Sequence, residues 1–335
     1  MAAQPYRNAL VVTTVAVLLG SLFAASYALA LARPTPHHIP AGLVGSSHGA
    51  LPVMVAFERS LGGELAFRPY ASEASAAKAI DEQAIYAALV PHGKDAQLLL
   101  SSASGASVVR VLEHAATGLS AGSPVQITVV DLHPLPAGDP QGLVVFYVTL
   151  AATLIGIVTM IQLSVNARGL SLRAWLAFTL LAAASMGLAL AFVTGPLIGA
   201  LSGPFLELAA ALGAEVLVAA LVTSMLIVLL ARWAIVPAWL LFVVLGNTSS
   251  GGAVAPPLLP GLYRFIGRFL PPGATVETVR TAVYFRHYQH AAPMLIEAAW
   301  LIGGLLALLL AVRLRGTGPA MPADPPAAPQ VALAG

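Results

Sequence analysis

Six long apolar runs divide this chain, and the first, residues 9–31, carries no charged side chain over 23 consecutive positions. The other five cover residues 142–165, 174–193, 205–231, 233–246 and 292–312. Because an α-helix rises 1.5 Å per residue, the first run is longer than the roughly 30 Å hydrocarbon core of a bilayer requires. A helix also satisfies its backbone polar groups internally, as lipid demands. The sequence therefore predicts an α-helical integral membrane protein that contacts the lipid bilayer.

The proportion of charged residues supports this class. Charged side chains make up 9% of the chain and hydrophobic ones 58%, whereas soluble domains are about a quarter charged. The 16 basic and 14 acidic residues give a net charge of only +2, so no basic surface for nucleic acid is indicated. The chain has no cysteine, which excludes disulfides, thiolate metal sites and thiol nucleophiles. A soluble globular protein is therefore excluded, and nucleic acid is not expected as a partner.

Residues 1–32 are predicted to form an N-terminal transmembrane helix. A secretory signal is the alternative, since Arg7 precedes the run and Ala28-Leu29-Ala30 resembles a small-residue cleavage site. The run is longer than the apolar region of a typical signal, which favours an uncleaved anchor.

Residues 33–140 differ in composition, because they hold nine acidic and six basic residues, half of the formal charges of the chain. Short apolar runs alternate here with helix-like stretches, a pattern typical of a sheet covered by helices. The sequence therefore predicts a small extracytoplasmic α/β domain, with a turn between neighbouring strands at residues 91–95. Strands are predicted at residues 42–45, 65–70, 85–90, 97–101 and 125–131, and helices at 51–61, 73–82 and 106–119.

Arginines flank the five-segment membrane domain, residues 141–315, on one predicted side. Residues 166–173, Arg232 and the segment from Arg313 carry five arginines, and Arg7 adds a sixth if the number of crossings is even. The positive-inside rule then predicts both termini in the cytoplasm of a bacterial-type plasma (inner) membrane, with the α/β domain outside. Arginines at positions 264, 268, 280 and 286 oppose this orientation, but long loops count less in the rule. Residues 316–335 are rich in Pro and Ala, which predicts a disordered cytoplasmic tail.

The fifth run is too short to cross a bilayer alone, since its 14 residues make about 21 Å of helix. A polar, glycine-rich sequence, here named the break, follows it, and such a sequence at membrane depth is tolerated only where protein or water surrounds it. Beyond the break, Arg264 and Arg268 lie four apart among apolar residues, which predicts an amphipathic helix at the outer interface, and Arg280 is assigned to the same interface. Residues 246–291 are therefore predicted to form a re-entrant, broken-helix region. The break consists of Gly246, Asn247, Thr248, Ser249, Ser250, Gly251 and Gly252.

The order of these parts resembles the phage infection protein (YhgE/Pip) family and, more distantly, the type-2 permeases of ABC transporters. The similar features are the break, followed by Pro256, Leu259-Pro260, residues 265–272 and Val279-Arg280. The resemblance implies a permease or exporter-like subunit, a homodimer and a role in transport for the break. It also implies a separate ATPase subunit as a partner, although residues 166–173 allow only about two helical turns for contact with that subunit. The small outer domain is a second departure from the family.

Catalytic and metal sites have weaker support. No GxxxxGK[ST] occurs, so the chain does not bind nucleotide through a P-loop. Ser249 or Ser250 with a later histidine would suit an intramembrane serine protease, but Thr248 occupies a position where that motif needs glycine, and capping of broken helix ends is the simpler interpretation. His287 and His290 have only Glu297 as a further ligand, which favours interfacial anchoring over a metal site. No enzyme activity, cofactor or metal is predicted.

Three carboxylates, Glu207, Glu215 and Glu297, fall within apolar runs. An intramembrane carboxylate indicates a proton or cation step, or an ion pair with an arginine of the last loop. The alternative is a location at the outer headgroups near helix N-termini, where a carboxylate is stable anyway. Glu297 is the stronger functional candidate of the three.

The sequence thus favours a permease or exporter-like subunit of the type-2 ABC permease kind, with Glu297 and residues 247–252 of the break as its transport residues. The alternative is a membrane-anchored receptor or envelope interaction protein whose outer domain binds a partner. The break favours transport, because an anchor does not need one. The lack of a recognisable energy source favours the receptor.

Overall fold

The computed structural model describes residues 3–32, 34–45, 47–93, 95–122 and 126–320. Five helices within these ranges are long and apolar enough to cross a membrane, which supports the predicted membrane protein. They cover Tyr6–Leu31, Val144–Asn166, Leu172–Leu197, Phe205–Trp233 and Ala291–Arg315. Most of the predicted disordered tail, residues 321–335, lies outside the described residues.

A five-stranded sheet lies between the first and second of these long helices. Its strands are β1 (Ile39–Val44), β2 (Leu65–Tyr70), β3 (Ala87–His92), β4 (Asp95–Leu100) and β5 (Ile127–Asp131), in the spatial order β2-β1-β3-β4-β5. β3 and β4 form an antiparallel hairpin whose last pair is His92 with Asp95, and the other neighbours are parallel. Parallel neighbours need long crossover connections, which the helices supply.

The helices of the described chain are α1 (Ala3–Leu31), α2 (Ser47–Ser60), α3 (Glu73–Asp81), α4 (Ser102–Gly122), α5 (Val144–Asn166), α6 (Leu172–Phe192), α7 (Phe205–Leu230), α8 (Ile235–Ala238), α9 (Gly261–Gly267), α10 (Pro271–Tyr284) and α11 (Ala291–Arg315). The small α/β sheet predicted from the sequence is confirmed. Its predicted strands and helices begin and end within four residues of those observed, although Val125, the first residue of the predicted last strand, lies outside the described residues.

Apolar side chains cover both faces of the sheet, as its continuous apolar strands predict. On one face, Ile39 and Leu98 are buried with Phe57 of α2 and Leu112 of α4. On the other face, Ile80 of α3 packs with strand residues in a second buried cluster. The first cluster also takes in apolar residues from the chain that follows the break, namely Val254, Ala255, Leu258 and Leu259. The core of the α/β domain is therefore shared with a distant part of the sequence.

α7 lies at the centre of the helical part and contacts α5, α6, α10 and α11. The first turns of α7 and the segment before α11 lie near the sheet, since Gln289 donates to Glu207 and His290 contacts the carbonyl oxygen of Glu82. We call this the domain end. The last turns of α7 and α11 meet at the opposite end, the far end, where Arg315 Nη2 donates to the Leu229 carbonyl oxygen at 3.4 Å.

The fifth apolar run does not reach spanning length, as its residue count predicts. α8 continues as a π-helix over Trp239–Asn247, and the whole helical stretch covers only Ile235–Asn247. After the break, the chain turns back through α9 and α10. Trp300 in the third turn of α11 donates to the Phe269 carbonyl oxygen at 2.7 Å, whereas Arg286 after α10 donates to the Ser202 carbonyl oxygen before α7. The turn between α9 and α10 thus lies beside the third turn of α11, and α10 leads from this turn back to the domain end.

Candidate functional site

The break, residues 246–252, is buried despite its polar sequence, and its four consecutive polar residues are at most 7% exposed. Ser249 Oγ donates to the Leu245 carbonyl oxygen at 2.6 Å, and Ser250 Oγ accepts a hydrogen bond from the Gly252 amide at 3.3 Å. The Leu245 carbonyl oxygen also accepts from the Ser249 amide, so these hydroxyls bond to backbone groups at and just after the end of the π-helix. The geometry agrees with the capping interpretation and supplies no histidine partner for a serine nucleophile within the described residues.

Polar side chains connect the break to α1 and α9. Asn247 Nδ2 donates to Tyr27 Oη at 2.6 Å, and Ser26 Oγ donates to the Val244 carbonyl oxygen at 2.7 Å. Ser26 Oγ also lies 3.0 Å from Tyr263 Oη of α9. The oxygen of the Asn247 side chain has no hydrogen-bond partner among the described residues. One polar acceptor of the break is therefore left over inside an apolar bundle.

Two glycines allow the chain to turn at the break. Gly251 has a φ of +78°, a left-handed conformation that residues with a β-carbon rarely adopt. At Gly252, a β-carbon would stand 3.0 Å from the β-carbon of Phe146 on α5, so the backbone lies directly on that helix. Gly251 sets the direction of the turn, and Gly252 allows the turn to pack against α5.

The residues after the break are bonded to the α/β domain. The Ala255 amide donates to Ser107 Oγ of α4 at 2.9 Å, and the His37 amide donates to the Pro257 carbonyl oxygen at 2.9 Å. Tyr86 lies at the same junction, and its burial raises the pKa of its phenol to about 12, so this ring is neutral at physiological pH. The domain and the break are thus one connected structure.

Arg280 differs from the expectation that it lies at the interface. It is 8% exposed, and its guanidinium donates to Glu277 Oε2 at 3.1 Å and to the Gly251 carbonyl oxygen at 3.0 Å. A buried guanidinium requires such partners, because its desolvation is costly. Arg280 therefore holds the turn of the break against α10, a role that its spacing from the other arginines of the loop did not indicate.

A second polar cluster, here named the carboxyl pair, lies between α5, α7, α10 and α11. Glu215 is 0% exposed and Glu297 is 4% exposed. Thr275 Oγ1 lies 3.0 Å from Glu215 Oε2 and 3.1 Å from Glu297 Oε1, while Thr153 donates to Glu215 Oε1 at 2.5 Å. The structure thus brings together two carboxylates that are 82 residues apart in the sequence.

The hydrogen-bond contacts of Thr275 indicate what the carboxyl pair can bind. The hydroxyl of Thr275 has one hydrogen and can donate to only one of its two carboxyl neighbours. The other contact becomes a full hydrogen bond if that carboxyl group carries a proton and donates to Thr275 Oγ1, and a small cation bound between the oxygens is the alternative. No lysine, arginine or histidine among the described residues forms an ion pair with Glu215 or Glu297. The pair can therefore take up a proton or a small cation.

The carboxyl pair and the break are adjacent through α10. Val276, the neighbour of Thr275, packs against Gly252, where a β-carbon would stand 3.2 Å from Val276 Cγ2. A movement of the break would therefore displace Val276 and, through it, Thr275, which lies between the two carboxyl groups.

The remaining candidates lie elsewhere. Glu207 is exposed at the domain end, in agreement with the headgroup alternative for this residue. His290 Nδ1 lies 3.9 Å from Glu277 Oε1 and His287 is exposed. No group of three potential metal ligands is present among the described residues.

Arg264 and Arg268 flank an exposed apolar surface of α9. Arg264 Nη1 donates to the His37 carbonyl oxygen at 3.4 Å and is half-buried, whereas Arg268 is exposed. Leu262, Phe265 and Phe269 are exposed beside them. This surface combines cations with large apolar side chains, which is the composition that suits a lipid interface.

Comparison with known proteins adds no assignment, since no family model, curated protein or solved structure matches the chain. The resemblance to the YhgE/Pip family stays a prediction from the sequence.

Proposed function

We propose that this chain is a membrane permease or exporter-like subunit in which movement of the break opens and closes a path for a substrate. One observation carries the proposal: a buried, polar segment, whose residues 248–252 form no helix, lies among apolar helices and next to two buried carboxyl groups. Non-helical backbone at membrane depth is typical of transporters, where it lines a site or a cavity, and a bundle that only anchors a domain has no need of it.

The carboxyl pair supplies the proposed driving step. Ionisable groups inside a membrane protein are expensive to bury and are kept where they move ions or protons. In this proposal, Glu215 and Glu297 take up a proton or cation when the break is in one position and release it in the other. Residues 167–171, between α5 and α6, form no helix that a separate ATPase could contact, so the proposal needs no ATPase subunit.

The proposed orientation has the α/β domain outside and both termini in the cytoplasm of a plasma membrane, as the arginine distribution predicts. A homodimer is part of the proposal only through the resemblance to type-2 permeases.

Accessibility of a single cysteine tests the proposal without knowledge of the substrate. The chain has no cysteine, so Ser250→Cys introduces the only thiol, and it is nearly isosteric with the native side chain. Ser250 is 7% exposed, and a membrane-impermeant maleimide can reach it only if the break opens. We expect labelling of Ser250→Cys in oriented membrane vesicles, with a changed rate when Glu297→Gln is added.

Ser224→Cys is the matched control. Ser224 is 0% exposed on α7, where it accepts a hydrogen bond from Trp175 Nε1, and it lies in no proposed path. Ala74→Cys, at an exposed position on α3, reports that the reagent reaches the domain. If Ser250→Cys is as unreactive as Ser224→Cys while Ala74→Cys is labelled, the break does not open and the transport proposal is wrong.

A second candidate function is a membrane-anchored receptor, and one cavity favours it. This cavity of about 890 Å³ lies between the end of α1, α2, α4 and the chain after the break. Arg110 and His114 line it together with Leu31 and Val254, which suits an apolar ligand with an acidic group. A receptor of this kind predicts that Ser250→Cys stays unlabelled whether or not a ligand is bound.

A further inference from the structure

A large cavity at the far end of the helical part is independent of the proposed transport path. Its volume is about 1030 Å³, and it lies where α5 and α7 end and the chain leaves α11. Its walls are mostly apolar, and residues 317–320 close one side of it. The apolar wall includes Val158, Ile161, Ile227 and Leu230, and the polar residues include Gln162 and Arg232. The cavity thus combines room for a hydrocarbon chain with a cation.

Arg232 is held at this cavity by its neighbour in the sequence. Its guanidinium carbon lies 5.5 Å from the ring centroid of Trp233, within the range of a cation–π contact. Arg232 is exposed and has no carboxylate partner among the described residues. Its N–H groups are therefore free to bind an anion from outside the chain.

The charges of the far end point to the nature of that anion. All thirteen acidic residues of the described chain lie in the α/β domain, at the domain end or, on α7, α10 and α11, nearer to the domain end than to the far end. Arginines are the only charged residues at the helix ends and connections of the far end in the part of the chain that the structure describes. These are Arg7, Arg168, Arg173, Arg232, Arg313 and Arg315. Such a surface attracts the acidic headgroups of a membrane leaflet.

We propose that the cavity binds one acidic phospholipid, with its phosphate at Arg232 and an acyl chain along the apolar wall between α5 and α7. The charge distribution selects an acidic headgroup over a neutral one, and the apolar wall selects a lipid over free phosphate. Bound there, the lipid joins the ends of α5 and α7 to the segment that follows α11.

Native mass spectrometry of the full-length protein in detergent tests this site. Phosphatidylglycerol and phosphatidylcholine with identical acyl chains are added in equal amounts, and the bound fraction of each is counted. We expect the acidic lipid to bind at least fivefold more strongly, and Arg232→Gln to reduce this preference about fivefold, the effect of one arginine near an acidic headgroup.

Two further variants separate this site from general attraction. Arg173→Gln removes the same charge from an exposed position of the far end that does not line the cavity, and it should keep the preference. Val158→Trp fills the apolar wall and should reduce the binding of both lipids, because Val158 lines the cavity and is half exposed. The proposal is overturned if Arg173→Gln lowers the preference as much as Arg232→Gln, if both lipids bind equally to the unmodified protein, or if inorganic phosphate displaces the lipid.

Discussion

Replacing Thr275 by valine removes a hydroxyl from between two buried carboxyl groups with little change in shape. Thr275 is fully buried, and its oxygen lies within 3.1 Å of both Glu215 and Glu297. A buried polar group without a partner costs about 1–3 kcal/mol, and this substitution leaves two carboxyl oxygens in that state. We therefore expect Thr275→Val to lower the free energy of unfolding by about 2–6 kcal/mol.

Thr149 on α5 offers the matched control, because it is fully buried and its hydroxyl has no hydrogen-bond partner among the described residues. Thr149→Val removes a polar group that gains nothing from its position, so it should be neutral or stabilise by about 1 kcal/mol. Thr275→Ser keeps the hydroxyl and loses one methyl group, which should cost about 1 kcal/mol.

Thermal unfolding in detergent, followed by tryptophan fluorescence at one fixed scan rate, compares the variants, since membrane proteins often unfold irreversibly. The unfolding midpoint should be highest for Thr149→Val, lower for Thr275→Ser and lowest for Thr275→Val. If Thr275→Val unfolds at the temperature of Thr149→Val, the hydroxyl of Thr275 does not connect the carboxyl pair, and the hydrogen-bond argument for a bound proton or cation fails.

Three other substitutions or fusions test separate parts of the structure. Gly267→Ala should lower the unfolding midpoint by the equivalent of about 1–3 kcal/mol, because the new β-carbon would overlap a backbone carbonyl oxygen of the break. Gly303→Ala on α11 is the control and should not lower the midpoint, because a β-carbon there meets nothing within 4 Å. A reporter that is active only outside the cell should be active when fused after Ala76 and silent after Leu170, and the reverse pattern would contradict the proposed orientation. Arg268→Lys, added to the Ser250→Cys variant, should leave both folding and maleimide labelling unchanged, since an exposed position near lipid phosphates needs positive charge rather than a planar group. Loss of labelling in a lysine variant that still folds would indicate a specific anion site.

The sheet could be predicted because its signal is local. Each strand is a short apolar run bounded by turn residues, and runs such as Leu65–Tyr70 coincide with the observed strand. The short fifth apolar run followed from residue count alone, since Ile235–Asn247 is simply too short to span. These features depend on neighbouring residues and on length, which the sequence contains directly.

The polar sites could be predicted only in part, because their partners are distant in sequence. Glu215 and Glu297 were recognisable as carboxylates in apolar runs, but nothing in the sequence paired them or singled out Thr275, one of many hydroxyls near a helix start. Arg280 shared the spacing of interfacial arginines, yet it is buried because the Gly251 carbonyl oxygen and Glu277 are in reach. Such contacts arise from tertiary packing, which periodicity does not record.

The shared core of the α/β domain has a consequence for how the protein is made. Val254, Ala255, Leu258 and Leu259 complete a hydrophobic cluster whose other members include Ile39 and Leu98. During synthesis, the strands leave the ribosome long before these four residues exist, so the early domain has one apolar side uncovered while α5, α6 and α7 are inserted into the membrane. The excised segment 33–140 therefore lacks four apolar residues of its own core, and we expect the last stage of assembly to be the docking of the chain after the break onto a sheet that is already formed.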